Sequence, residues 1–126
     1  MTFEDAIILF LVLFSIKHFV VDFMLQREYQ WRNKGTYGHP GGLEHSGLHA
    51  LATFFIMLLF VPVDLAFLIG IFDGVVHYHI DWAKMNINQA KGWTATTHAE
   101  FWYMVGLDQF LHAMTYIAIL YFIIAP

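Results

Sequence analysis

DGVVHYHIDWAK, Asp73 to Lys84, closes an otherwise apolar run that begins near Val63. Successive residues of an α-helix turn by about 100°, which puts Asp73, His77, Asp81 and Lys84 on one stripe about 80° wide and His79 on the opposite side. Two carboxylates, an imidazole and an ammonium therefore share one face of a helix whose other faces suit lipid. Each Asp or Lys costs roughly 2.5–3.5 kcal/mol at the centre of a bilayer even on the mildest scale. These groups are expected to meet partners from other helices and to form a site with them.

The chain around this stretch is apolar throughout. Of its 126 residues, 59% are hydrophobic and 18% aromatic, while 13% are charged, against about 25% in soluble domains. This composition predicts a single integral membrane domain over residues 1–126. There is no cysteine, so disulfides and thiolate metal sites are excluded and any ion must be held by nitrogen and oxygen. Glu4 and Asp5, rather than basic residues, precede the first apolar run, which argues against a cleaved signal peptide. No nucleic-acid partner is expected.

Four transmembrane spans are predicted, at approximately 4–26, 45–62, 64–84 and 101–124, giving an all-α four-transmembrane-helix bundle. On the first, Ser15, His18, Asp22 and Gln26 fall on one stripe. Lys17 lies off it, placed to snorkel or to pair with an acid of a neighbouring helix. Residues 27–44 read as a polar connector broken by Gly35, Gly38, Pro40, Gly41 and Gly42. The second span sets His45 and His49 one turn apart with Thr53 continuing the stripe; it is short and should be tilted or sit in thin bilayer. Asp64 is expected to N-cap the third span. After a second polar connector, 85–100, Thr97 and Glu100 are expected to form a capping box for the last helix. That helix carries Asp108 and His112 one turn apart, with Gln109 beside them.

Arg27, Arg32 and Lys34 lie in the first connector and Lys84 and Lys91 in or beside the second, with no Lys or Arg in either terminus or at the Pro62 turn. Both connectors are thus expected in the cytoplasm and both termini outside. Trp31, Trp82, Trp93 and Trp102 fall at the same ends, where an aromatic belt belongs.

Alternating helix direction then brings His18 and Asp22, His45 and His49, His77 and Asp81, and Asp108 and His112 to the cytoplasmic half. At about 1.5 Å rise per residue each pair lies roughly 5–15 Å from the helix ends. Inward His and carboxylate side chains on facing helices are how bundles build metal sites. These eight residues are the expected metal ligands, with Asp73 a ninth candidate. Histidine with carboxylate suits zinc, iron or manganese, as one or two divalent ions, or as one ion whose histidines are oriented by the remaining acids. A metal-free proton or hydrogen-bond network is the alternative. Asp22, Asp81 and Asp108 are the candidate catalytic carboxylates, and Lys84 the candidate holder of a substrate anion. His39, His79 and His98 are read as solvated or packing residues.

Four motifs follow in order along the chain: HFVVDFMLQ from His18, HSGLH from His45, HYHIDWAK from His77 and DQFLH from Asp108. Together, as HxxxDxxxQ, HxxxH, HxxxDxxK and DQxxH, they resemble the small bacterial and phage polytopic membrane-protein family catalogued as domain of unknown function 3307. The likeness covers nearly the whole chain. It implies a compact helical protein of the bacterial inner membrane, or of the host membrane if phage-encoded, and supplies no reaction. More distantly, the layout is similar to membrane-bound proteins described as metal-dependent hydrolases.

The expected function is metal-dependent hydrolysis of a lipid or lipid-linked substrate at the cytoplasmic leaflet. A di-iron-type oxidoreductase, a proton or metal-ion transporter and a non-catalytic subunit of a larger membrane complex are the alternatives. Transport is weakened by residues 6–14 and 118–124, which carry no charge. Membrane lipid is the expected partner, with a homo-oligomer or larger complex left open.

Overall fold

The computed structural model describes residues 1–125, and among these there is no strand. Helix α1 spans Phe3–Phe19 and continues into a π-helical turn, Val20–Met24; α2 is Glu28–Asn33, α3 Pro40–Met57, α4 Val63–Lys91 and α5 Ala99–Ile124. A capping box starts α1: Asp5 N donates to Thr2 Oγ1 at 3.1 Å and Thr2 N to Asp5 Oδ2 at 3.0 Å. Each satisfies a donor that the first turn leaves free.

Three helices, Phe3–Met24, Val63–Lys91 and Ala99–Ile124, are long and apolar enough to cross a membrane, not the expected four. The missing span is α3. Its 18 residues reach only about 27 Å, and its first half carries Glu44, His45, Ser46 and His49. Except for Glu44, which pairs with Arg27 at the surface, those groups are turned inward: Gly41, Gly42, His45, Ser46, His49, Thr53 and Met57 are buried along one face. The residues that give α3 its part in the site are the ones that lower its hydropathy.

Other boundaries move as well. Helix α4 does not stop at Lys84 but runs to Lys91, ending where Gly92 turns left-handed (φ 67°) and Trp93 N donates to Asn88 O at 3.0 Å. The polar run after Lys84 contains no helix breaker before that glycine. Pro62, not Asp64, holds the N-cap of α4; Asp64 lies in the first turn, where a carboxylate suits the helix dipole. The capping box expected of Thr97 and Glu100 does not form. His98 is the N-cap, without a side-chain cap bond, and Thr97 Oγ1 pairs instead with Thr94 Oγ1 and His98 Nδ1.

The first connector is folded rather than loose. Helix α2 lies against the start of α3, so closely that a Cβ on Gly41 would sit 2.5 Å from Tyr29 O and one on Gly42 3.1 Å from Lys34 Cα. This contact buries Gln30 and Lys34. Further along, Gly70 and Gly74 stand one turn apart on α4 and let α3 approach. Added Cβ atoms would meet Ala50 O at 2.8 Å and Ala50 Cβ at 2.8 Å respectively. Small residues at this spacing are how membrane helices pack backbone to backbone.

Gly74→Val is therefore expected to push α3 off α4 and to destabilise the fold by about 1–3 kcal/mol. Gly106→Ala, whose Cβ would meet nothing within 4 Å, is the control. Thermal unfolding in detergent should show a clear drop for the first substitution only; equal midpoints would refute the close contact.

The packed helices are divided by polarity. Phe10, Phe14, Met57, Ala66, Ile69, Tyr116 and Ile119 form the apolar core, on the side of the termini. The buried charges gather in the half nearer the two connectors.

Candidate metal centre

Asp22 sits in the middle of the π-helical turn, a device often found where a side chain is re-aimed at a functional site. It meets His45 and His49 from α3 and His77 from α4. His49 Nε2 is 2.9 Å, His45 Nε2 3.1 Å and His77 Nε2 3.4 Å from Asp22 Oδ1, and His45 Nε2 is 3.2 Å from His77 Nε2. An ion bound tetrahedrally at about 2.0–2.1 Å from its ligands implies ligand-to-ligand edges of about 3.3–3.4 Å. Four of the cluster's six edges lie between 2.9 and 3.4 Å, and all four ligand atoms lie within 4.8 Å of one another, so small shifts would seat an ion. These four residues could hold a metal ion.

Hydrogen bonding alone accounts poorly for the same atoms. If His45 and His77 both donate Nε2–H to the surrounding carboxylates, their two hydrogens face each other across 3.2 Å. If one of them accepts instead, it turns a lone pair toward Asp22 Oδ1 and Asp81 Oδ2. An ion removes the conflict, because all four ligand atoms then present lone pairs.

Asp81 extends the cluster. Its Oδ2 lies 3.3 Å from both His45 Nε2 and His77 Nε2 and accepts from Lys34 Nζ at 3.0 Å. Its Oδ1 faces His112 Nε2 at 3.5 Å, and Asp108 Oδ1 faces the same nitrogen at 3.5 Å. His77, Asp81 and His112 make a second group that could hold an ion. Asp81 Oδ1, Asp108 Oδ1 and His112 Nε2 are buried without a hydrogen-bond partner. Each such orphan costs about 1–3 kcal/mol if left unsatisfied, so two unsatisfied oxygens facing one unsatisfied nitrogen mark a place for a ligand. His77 belongs to both groups, and its ring stacks between those of His49 and His112, centroids 3.6 and 3.9 Å away.

The remaining expected residues surround this centre. His18 stands behind Asp22 and outside both groups: its Nε2 is 2.8 Å from Gln109 Oε1 and 3.2 Å from Asp22 Oδ2, and its Nδ1 is 2.8 Å from Tyr116 Oη. That is the place of a residue that orients a ligand. Lys84 Nζ is 3.1 Å from Asp108 Oδ2 and 3.7 Å from Asp81 Oδ1. Asp73 is set apart, paired with Lys17 and accepting from Thr53 Oγ1 at 2.6 Å. Lys17 thus meets an acid of a neighbouring helix, one of the two fates its off-stripe position allows. His79 is exposed, its Nδ1 near Val75 O and its Nε2 near Tyr37 Oη. His39 accepts from Gly41 N at the start of α3.

Lys34 and Tyr116 are part of the site and were not foreseen. Lys34, from the turn after α2, bridges Asp81 and Gln26 Oε1 and closes the connector side. Its charge next to a connector is fully explained by membrane orientation, so the sequence carries no separate signal for it. Between α4 and α5 a groove of about 450 Å³ has Lys84 and Asp108 in its lining, together with Val75, Ile80, Ile87, Leu107 and Leu111.

A family model described as "Protein of unknown function (DUF3307)" matches residues 9–126, nearly the whole chain. No curated protein and no solved structure matches it.

Proposed function

The chain belongs to the family described as protein of unknown function DUF3307, and from that premise we propose that it is a membrane-embedded metal-dependent hydrolase acting on a lipid or lipid-linked substrate. The observation that carries the metal reading is the convergence of Asp22 with the imidazoles of His45, His49 and His77, whose Nε2 atoms lie 2.9–3.4 Å from Asp22 Oδ1 in a group that could hold an ion. Zinc, iron and manganese all accept these donors. With these four residues bound, the ion would need a fifth position for a water, which it would activate at neutral pH while polarising the phosphoryl or acyl oxygen under attack.

The chain's own residues do the rest. Asp22 and the three imidazoles would hold the ion, and His18 fixes Asp22 from behind. The water oxygen bonds to the phosphorus or acyl carbon and the ester bond to the alcohol breaks. The water's proton would pass to a facing carboxylate, Asp81 or Asp108, and return to the departing alcohol. Lys84 offsets the negative charge that develops on the substrate. The lipid part of the proposal is supported by the groove between α4 and α5. Its apolar walls suit an acyl chain, and Lys84 with Asp108 would meet the head group at one end of it. The basic residues near both connectors favour the cytoplasmic leaflet as the place of reaction. Conduction of ions is disfavoured by the apolar packing of Phe10, Phe14, Met57, Ile69 and Ile119 in the other half.

Protein reconstituted in vesicles containing phosphorylated and acylated lipids should release head group or fatty acid. Metal chelation should abolish that release and added ion restore it. Lys84→Met should lower the rate by about 10²–10³ if it stabilises the transition state. Turnover that survives removal of all metal would overturn the proposal.

A further inference from the structure

We propose that the centre takes two divalent ions joined through Asp81, and that the second binds together with a phosphoryl group. This rests on the metal-hydrolase reading and narrows its substrate to phosphate esters. The first ion belongs to Asp22, His45, His49 and His77. The second would be held by Asp81 Oδ1 and His112 Nε2, both of the second group, with Asp108 Oδ1, 3.5 Å from His112 Nε2, as the added ligand; all three atoms lack a hydrogen-bond partner. Asp81 turns one oxygen to each: Oδ2 toward His45 and His77, Oδ1 toward His112. A carboxylate shared in this way is a normal link between paired ions, which clamp the attacking and leaving oxygens of a phosphoryl group.

Charge separates the two ions in affinity. The pocket holds three carboxylates, Asp22, Asp81 and Asp108, and two ammonium groups, Lys34 and Lys84, which pair with Asp81 and Asp108, while Asp73 and Lys17 cancel each other apart from them. With neutral histidines the pocket has one negative charge in excess. One divalent ion with a hydroxide neutralises it. A second ion adds two charges that nothing in the pocket offsets, at low dielectric, where such an excess is costly. A dianionic phosphoryl group supplies them, and a neutral acyl ester cannot. The groove between α4 and α5, lined by Lys84 and Asp108, gives that group access from the side of the second ion.

The test is a manganese titration of the detergent-purified full chain by equilibrium dialysis, with and without inorganic phosphate. The expected result is one tight step and one weak step, with phosphate strengthening the second by about tenfold or more and acetate leaving it unchanged. Asp108→Asn and His112→Gln should each remove the second step and keep the first. A parent protein that takes a single ion even in phosphate overturns the proposal, and that measurement needs no variant to fold. So do variants that keep both steps, or variants that lose both together, which would mean one undivided site. Two coupled ions without any hydrolysis would sink the enzymatic reading alone; hydrolysis by a one-ion protein would sink this inference alone.

Discussion

Replacing His77 by alanine is expected to strip the protein of metal. His77 is a ligand of the first ion and, among the described residues, occurs in both groups that could hold an ion; its ring is wedged between those of His49 and His112. Removing a residue that merely orients a ligand costs about 10–100-fold in metal affinity, so losing a ligand itself should reach or exceed the upper end of that range. Competition against a chelator of known affinity would measure it. His79→Ala is the matched control, one turn face away and exposed to the outside, and should bind metal as the parent does. A His77→Ala protein with an undiminished metal content would mean that the imidazole cluster is not a ligand set.

The second large effect concerns stability. Lys17 and Asp73 form a buried ion pair, side chains 2% and 1% exposed, beside the apolar core residues Phe14 and Tyr116. Lys17→Met should leave Asp73 with Thr53 as its remaining hydrogen-bond donor and cost about 3–5 kcal/mol, the usual penalty for stranding one member of a buried pair. Lys17→Met combined with Asp73→Leu should regain most of it, because apolar packing can replace such a pair at little net cost. Chemical unfolding in detergent would separate these outcomes. If the single variant is as stable as the parent, the pair contributes nothing to the fold. If the double variant is no better than the single one, the carboxylate is needed for more than its partner.

The site was legible because charge is rare in apolar helices. Asp22, His45, His49, His77, Asp81, Asp108 and His112 stood out one turn apart against Phe, Leu and Ile. Helix direction then sufficed to bring them to one end, where the structure has them. Side chains that have another explanation stayed hidden. Lys34 looked like an orientation signal, and Tyr116 counted as one more aromatic in an apolar helix, although its hydroxyl reaches His18. The pair Gly70 and Gly74 is silent in hydropathy, because what it contributes is the absence of a side chain. The number of crossings failed for a related reason. Hydrophobic length was read from 45–62, but α3 begins at Pro40 and spends its first turns sealing polar groups against α2 and α4. Polar composition after Lys84 suggested a loop, yet only Gly92 has the backbone freedom that ends the helix.

The direct measurement is X-ray absorption at the metal edge on protein purified without added ion. Stoichiometric metal is expected, its first coordination sphere holding imidazole nitrogens and carboxylate oxygen at about 2.0–2.2 Å, with the imidazole scattering diminished in His45→Gln. Protein that is metal-free as isolated and refuses added zinc, iron and manganese would contradict that expectation, as would an ion surrounded by water and carboxylate oxygen with no imidazole.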